Sequence, residues 1–330
     1  MLYNLYCWIL LEMSKKGKDV NLTVNGRSDK LPIRQFQFTK DDNCPGFVEH
    51  PSIIMIAKRG SGKSWIVRAI LEHFRDIPAG IIISPTDRMS CFYGKFFPDT
   101  YIYYEFRSDA IERILNRQRE IIDKEKRKLA EGKKIDSRAF IIMDDCLSQK
   151  GTWVRDQTVQ ELLFNGRHYK IMYILTMQFP LGITPELRSN FDYVFLLADD
   201  YISNMKRIYD HYAGMFPTFD SFRQVFSQLT SDHGSMVIVN RGVTPTLFDK
   251  IFYYKAPDLS NVSGAFGCKQ FRDYHNNNYN KNWAIDKDRI ANAEEYFMKK
   301  KKAKSRVVVD KIRDGDNAGI TISGKKRQRK

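Results

Sequence analysis

Cysteine is scarce in this sequence, and no hydrophobic run is long enough to cross a membrane. The 330 residues include six histidines without metal-like spacing and five cysteines without any CxxC or CxxH spacing, namely Cys7, Cys44, Cys91, Cys146 and Cys268. An odd, scattered set of cysteines argues against a disulfide framework or a zinc site and favours a reducing compartment. The apolar run at residues 1–11 contains Asn4 and is too short to span a bilayer. We therefore expect a soluble protein with no membrane-spanning segment.

The positive charge of the chain is concentrated at one end. Lysine and arginine total 54 against 39 aspartates and glutamates, which gives a net charge of +15. Residues 299–330 contain 13 lysines and arginines but three aspartates, so most of the excess lies in this tail. We expect the tail to be disordered, and DNA or a nuclear import receptor could bind it, the latter through residues 299–306 and 325–330. A merely solubilising tail is equally compatible with this composition.

Short apolar strands alternate with helical patterns through the middle of the chain. This alternation predicts an α/β fold with a mostly parallel central sheet flanked by helices. Several strands are apolar at consecutive positions, as strands buried on both faces must be. An amphipathic helix is predicted between Ser108 and Gly132. The predicted strands are residues 51–57, 79–85, 101–106, 139–145, 170–176, 192–198 and 235–240, with an edge strand at 31–38 before them.

The strongest local motif is AKRGSGKS at residues 57–64, between an apolar strand and a helical pattern. It matches the phosphate-loop (Walker A) pattern, with Ala57 where the first glycine usually stands. Lys63 is expected to neutralise the β- and γ-phosphates of a nucleotide, and the Ser64 hydroxyl to complete a magnesium shell. The motif therefore predicts ATP and Mg²⁺ as cofactors, and it assigns nucleotide contacts to Ala57, Lys58, Arg59, Gly60, Ser61, Gly62, Lys63, Ser64 and Trp65.

Paired carboxylates follow a buried strand about eighty residues further on. Asp144 is the expected magnesium partner, held through water, and Asp145 is placed to orient and deprotonate an attacking water. A second carboxylate of this kind favours hydrolysis over simple nucleotide storage. The next strand ends in Thr176 and Gln178, and we expect Gln178 to lie between the acidic and phosphate motifs, where it can sense the γ-phosphate or the water.

These motifs together resemble the DNA-packaging ATPases of large double-stranded DNA viruses. The resemblance is to the poxvirus and giant-virus type within the FtsK–HerA superfamily of P-loop translocases. It runs from about Pro51 to Asn240 and includes HPSIIMIAKRGSGKS, AFIIMDDC, ELLFNGRHYKIMYILTMQFP and LRSNFDYVFLL. It implies a RecA-like, additional-strand ATPase domain that forms a homo-oligomeric ring. Such a ring would thread double-stranded DNA of any sequence through its pore and drive the genome into a capsid, in contact with capsid or portal components.

The resemblance also implies an arginine that acts on the nucleotide of a neighbouring subunit. Two arginines are candidates, Arg167 in NGRHYK and Arg188 in PELRSN. The expected location is the host cytoplasm, at the virus factory, or the virion, with nuclear import by the tail as a further possibility.

The predicted organisation has four regions. They are an N-terminal arm (1–30), the P-loop ATPase domain (31–255), a C-terminal appendage with a polar linker (256–298) and the basic tail (299–330). Two alternative functions stay open on the sequence. One is another FtsK–HerA-type DNA pump, for plasmid transfer or chromosome processing, and the other is a nucleotide-dependent scaffold that does not hydrolyse ATP.

Overall fold

Helices and strands alternate along most of the chain. The computed structural model describes residues 17–24, 27–146, 153–244, 246–262, 264, 266–280 and 282, so residues 1–16 and the basic tail lie outside it. The strands in this part of the chain are β1 (Lys18–Val24), β2 (Arg27–Ile33), β3 (Ser52–Ile56), β4 (Ala79–Ile83), β5 (Ile102–Tyr103), β6 (Ala139–Asp144), β7 (Ile171–Met177), β8 (Tyr193–Leu197), β9 (Ser235–Val239) and β10 (Ile251–Tyr254). The helices are α1 (Lys63–His73), α2 (Asp87–Ser90), α3 (Ser108–Ala130), α4 (Gln157–Asn165), α5 (Pro185–Arg188), α6 (Ile202–Tyr212), α7 (Phe219–Leu229) and α8 (Lys269–Asn278).

Eight strands form the central sheet, in the order β10-β9-β8-β3-β7-β6-β4-β5. The six strands from β8 to β5 are mutually parallel, whereas β9 and β10 are antiparallel to their neighbours. The mostly parallel α/β fold expected from the sequence is therefore confirmed. Strand β7 is the additional strand, because it lies between β3, which precedes the glycine-rich loop, and β6, which carries the paired aspartates.

Side chains of the central strands alternate between two apolar layers. Ile54 and Ile56 of β3 belong to a layer that includes residues of α3, α4, α6 and α7. Ile53 and Met55 point to the opposite face, where they join residues of α1 and α8. Because successive residues of a strand face opposite sides of the sheet, a strand covered on both faces must be apolar throughout. This explains why β3 is apolar at every position from Ile53 to Ile56.

The N-terminal edge strand differs from its prediction. Residues 27–33 form β2, which pairs with β1 in an antiparallel hairpin, and Gln35 makes an isolated parallel bridge to Tyr253. The open edge of β1 is covered by α7, where the Gln228 side chain accepts from the Asn21 N–H and donates to the Asn21 carbonyl. Glutamine side chains thus replace the strand partner that an exposed edge would otherwise lack.

Two further segments also depart from the predicted pattern. Strand β5 has only two residues. The strand predicted at 101–106 starts later, because Tyr101 belongs to a 3₁₀ turn formed by Asp99–Tyr101. The polar stretch predicted as a linker begins inside α8, which is stabilised by stacking of Phe271 on Tyr101, with ring centroids 3.7 Å apart. The tertiary contact outweighs a local sequence that is rich in asparagine.

The compact unit that contains the sheet runs to Tyr279 and includes the hairpin. The domain boundaries at residues 31 and 255 stay predictions. The remaining unit, residues 280–330, falls almost wholly outside the described residues.

Candidate nucleotide site

The glycine-rich loop connects the carboxyl end of β3 to α1. Its backbone bends at Gly60 and Gly62, whose φ angles of 80° and 96° lie in the left-handed region that side chains with a Cβ rarely adopt. At the start of the loop, the Ala57 N–H donates to the Met177 carbonyl across 2.9 Å, which fastens the loop to β7. Helix α1 then begins at Lys63 with Gly62 as its N-cap and without a side-chain cap, so its first N–H groups point into the loop. This geometry suits an anion.

A buried charge cluster lies next to this loop. The ammonium Nζ of Lys63 is 3.1 Å from Asp144 Oδ1 and 2.6 Å from Asp145 Oδ1. The Lys63 side chain is 10% exposed and that of Asp144 is 6% exposed, so the pairing lies largely out of solvent. The fold therefore brings the phosphate-loop lysine into contact with two predicted acidic residues that lie more than eighty positions further along the chain.

The end of β7 supplies polar contacts to both aspartates. Gln178 Nε2 donates to Asp145 Oδ2 at 3.1 Å. The Thr176 hydroxyl donates to Asp144 Oδ1, and its oxygen accepts the Asp145 N–H at 3.2 Å. Gln178 therefore lies against the second aspartate, and its role as a sensor stays a prediction. Thr176 thus orients the Asp144 carboxylate and holds the backbone of Asp145.

Asp145 has a left-handed backbone, with φ of 54°. A left-handed conformation is uncommon for a residue other than glycine, although aspartate tolerates it better than most. It costs on the order of 1 kcal/mol, which the surrounding contacts must offset. Such conformations cluster at functional sites, and here the turn directs the carboxylate to Lys63 and Gln178.

Two buried residues behind the aspartates are absent from the sequence-based assignment. Asp87 is 1% exposed, and its Oδ1 accepts the N–H groups of Phe92 and Tyr93 at 2.7 and 3.0 Å. The Tyr93 hydroxyl lies beside Asp144, and burial together with the charge of Asp144 raises its pKa well above the ordinary value. Asp87 therefore holds a turn that seats Tyr93 against the acidic pair. No local motif marks either residue.

The other charged residues of the loop differ in their surroundings. Lys58 pairs with Asp200 at the carboxyl end of β8, and its ammonium lies 4.5 Å from the ring centre of Tyr201. The hydrogen bond to Asp200 raises the Lys58 pKa. Arg59 is exposed, and Ser61 closes a turn by donating to the Lys58 carbonyl at 2.6 Å. Lys58 thus connects the loop to an exposed segment of the neighbouring strand end.

Neither candidate arginine lies in the charge cluster. Arg167 is exposed in the turn between α4 and β7, at the amino end of that strand, so the length of β7 separates it from Gln178 by about 20 Å. Arg188 ends α5, where its guanidinium carbon lies 5.4 Å from the ring centre of Tyr212. The role of each in a neighbouring subunit remains a prediction.

A cavity of about 850 Å³ opens above the loop. This volume is within the range of small-molecule sites. Its lining includes most of the predicted nucleotide contacts together with Asp145 and Gln178, namely Ala57, Lys58, Arg59, Gly60, Gly62, Lys63, Ser64 and Trp65. A second set of lining residues comes from elsewhere in the chain and was not predicted, namely Phe92, His233, Lys255, Ala256, Pro257, Asp258 and Ser260.

The donor types at the site fit a magnesium ion better than a transition metal. Magnesium prefers oxygen ligands and is usually held by one or two protein groups together with waters and substrate phosphates. Asp144 offers a carboxylate and Ser64 a hydroxyl, whereas no group of three His, Cys, Asp or Glu side chains within the described residues could hold a metal by itself.

Among the described residues, no helix has both the length and the apolar character that a membrane span requires.

Comparison with known proteins places the chain among proteins of large DNA viruses. No family model matches it. Protein L437 of Acanthamoeba polyphaga mimivirus is 48% identical over 261 residues, which cover 79% of this chain and 89% of L437. Protein 088R of Invertebrate iridescent virus 3 is 35% identical, over 67% of this chain and 82% of 088R. The chain belongs to this viral family. The relative from a giant virus agrees with the giant-virus type that the sequence motifs resemble.

Solved structures similar to the chain include two ATPases. One is B204, the DNA-packaging ATPase of Sulfolobus turreted icosahedral virus, with 17% identity, a TM-score of 0.44 and coverage of 64% of this chain and 100% of B204. The other is EssC (ATPases 2 and 3) of Geobacillus thermodenitrificans, with 13% identity, a TM-score of 0.44 and coverage of 76% of this chain and 46% of EssC.

Proposed function

We propose that this protein is an ATP-hydrolysing motor that translocates double-stranded DNA and packages a viral genome into its capsid. The observation that carries the proposal is the cluster at the end of the glycine-rich loop. There Lys63 contacts both aspartates, and Gln178 holds the second of them. A lysine for phosphate charge, a carboxylate for water and an amide beside that carboxylate are the groups that phosphoanhydride hydrolysis requires.

Both oxygens of the Asp145 carboxylate are engaged in the structure, one by Lys63 and the other by Gln178. While the Lys63 ammonium lies against Oδ1, that oxygen does not face an attacking water. Phosphates bound in the loop would attract the Lys63 ammonium toward their own charge and release Asp145 Oδ1. Nucleotide binding would therefore activate the base, and Gln178 would keep it oriented toward the attacking water.

Asp144 and Ser64 are the residues that would hold magnesium. When bound, the ion would neutralise charge on the phosphates. The contribution of the chain is to keep Asp144 aligned, through the Thr176 hydroxyl on Oδ1 and through Tyr93 packed beside it.

For DNA translocation and genome packaging, the support is the resemblance of the sequence motifs rather than the geometry of the site. The relatives are proteins of giant and iridescent viruses, and the motifs resemble those of viral packaging ATPases. We place the site in a homo-oligomeric ring that contacts DNA phosphates, since a packaging motor must bind any sequence and phosphate contacts carry no sequence information. Action at the virus factory or in the virion belongs to the same proposal.

The decisive measurement is ATP turnover by the full chain with and without long duplex DNA. We expect duplex DNA to stimulate turnover, and Lys63→Ala to lower it at least about 100-fold, because one preorganised charge facing the phosphates is removed. Lys40→Ala, which removes an exposed lysine outside the cavity, is the matched control and should turn over like the natural protein.

The outcomes separate the alternatives. Turnover that DNA does not change would reject the motor, and binding of ATP without turnover would favour the non-hydrolysing scaffold. Another DNA pump of this type would show the same stimulation by DNA, so the partner must distinguish the two. A packaging motor should copurify with capsid components from infected cells, whereas another DNA pump should not.

The arginine in trans can be assigned by mixing variants. We expect Arg167→Ala to bind ATP normally but to lose most hydrolysis, because Arg167 is exposed and could reach only the nucleotide of a neighbouring copy. Mixing it with the Lys63→Ala chain should restore part of the activity, since each variant supplies what the other lacks. The same mixing experiment is done with Arg188→Ala. If mixing with Lys63→Ala restored hydrolysis for Arg188→Ala but not for Arg167→Ala, Arg188 would be the arginine that acts in trans.

A further inference from the structure

One wall of the cavity is built by a segment far from any motif. We call residues Lys255–Val262 the strap. It leaves β10 at one edge of the sheet, and the chain beyond it reaches α8, which packs on Tyr101 beside β5 at the opposite edge. On the way it lines the cavity with Ala256, Pro257, Asp258 and Ser260. The strap therefore forms part of the wall of the candidate nucleotide site.

The strap is fastened to α1, the helix that follows the glycine-rich loop. Leu259 is 3% exposed and packs in the same apolar layer as α1. Arg68 of α1 donates from Nη2 to the Val262 carbonyl at 3.0 Å. Beyond the strap, the Cys268 N–H donates to the Pro78 carbonyl at 2.8 Å. Contacts on both sides hold this wall in place, so it is available for a ligand without a large rearrangement.

The cavity has two chemically different ends. The loop end offers backbone N–H groups, Lys63 and Ser64, which suit phosphates. The strap end offers the rings of Phe92 and Pro257 together with the carboxylate of Asp258, which accepts the Ser260 N–H at 2.9 Å. The Lys255 ammonium, which also belongs to the strap, is paired with Asp232. A carboxylate repels phosphate but accepts hydrogen bonds from hydroxyl and amino groups. The strap end therefore fits the uncharged part of a nucleotide.

We propose that the strap binds the nucleoside of the triphosphate, with the base against the apolar surfaces of Trp65, Phe92 and Pro257 and with Asp258 as hydrogen-bond acceptor for the ribose hydroxyls. This inference rests on the proposed ATPase function, because it needs phosphates in the glycine-rich loop. It assigns to Asp258 and Pro257 a share of nucleotide affinity that the sequence motifs place entirely in residues 57–65.

The test compares two ligands by calorimetry on the full chain with magnesium, namely ATP and inorganic tripolyphosphate. Tripolyphosphate can occupy the loop but has no nucleoside to reach the strap. We expect Asp258→Ala to weaken ATP binding about tenfold, the loss expected for one hydrogen bond to a charged group, and to leave tripolyphosphate binding unchanged. Asp210→Ala, which removes an exposed carboxylate of α6, should alter neither affinity.

A second variant tests the apolar part of this wall. Trp65→Ala should also weaken ATP binding more than tripolyphosphate binding, because base stacking is lost. Equal affinities of the natural protein for ATP and tripolyphosphate would overturn the strap proposal and leave the phosphate site standing. Equal losses for both ligands in Asp258→Ala would overturn it too. Failure of the natural protein to bind tripolyphosphate would overturn the phosphate site and the strap proposal together.

Discussion

The two edges of the parallel sheet use polar side chains in opposite ways. At the amino edge, Asp192 Oδ2 accepts the N–H of Ser52 at 3.0 Å and its hydroxyl at 2.9 Å, so the start of β3 is joined to the start of β8. At the carboxyl edge, Lys63 lies between two carboxylates, and the buried Asp87 Oδ2 has no hydrogen-bond partner among the described residues. The amino edge thus joins two strand ends, whereas the carboxyl edge carries the charges of the proposed nucleotide site.

This difference has a physical cause. Buried polar groups are normally satisfied, and an unsatisfied group or a left-handed aspartate persists only where the surrounding structure compensates for it. Substitutions at the carboxyl edge should therefore change activity more than stability, whereas those at the amino edge should do the reverse.

The largest effect is expected for Asp145→Asn. Asparagine tolerates the left-handed backbone and keeps the side-chain volume, so the variant should fold, but it cannot accept a proton from water. We expect single-turnover hydrolysis to fall by about 10² to 10⁴, the usual contribution of a general base, with ATP affinity retained. Asp210→Asn is the matched control and should hydrolyse ATP at the natural rate. If the Asp145→Asn variant hydrolysed ATP within twofold of the natural rate, Asp145 would not be the base.

A smaller effect is expected for Gln178→Ala. Its amide positions Asp145 without taking part in proton transfer, so we expect hydrolysis to fall by about tenfold to 100-fold, as a misplaced catalytic group would cause. Gln178→Glu adds a charge beside Asp145 at nearly the same volume. If Gln178→Ala turned over normally, the amide would have no positioning role. Thermal unfolding of each variant separates a true loss of turnover from misfolding.

The smallest effect on turnover is expected at the amino edge, for Asp192→Ala. This change leaves the Ser52 N–H without its acceptor, and we expect the free energy of unfolding to fall by about 1 to 3 kcal/mol while turnover per folded molecule is unchanged. Denaturant unfolding and active-site titration measure the two quantities separately. A loss of turnover without a loss of stability would contradict the division between the edges.

Local patterns predicted the central strands well and the periphery poorly. Strands β3, β6 and β7 are buried on both faces, so their apolar runs identify them directly. Strand β1 has a polar, alternating sequence and depends on Gln224 and Gln228 of α7, more than two hundred positions away, for the contacts along its edge. Helix α8 depends in the same way on Tyr101. Edges take their structure from distant partners.

By itself, the sequence determined the strand, glycine-rich loop and helix of the phosphate site and the aspartate pair that ends β6, because each consists of neighbours in the chain whose residue types dictate local geometry. Only the tertiary structure decided that Lys63 contacts Asp145, that Tyr93 lies beside Asp144, and that the strap lines the cavity. These contacts join residues separated by about fifty to two hundred positions. Strand order and packing create such contacts, and no local periodicity encodes them.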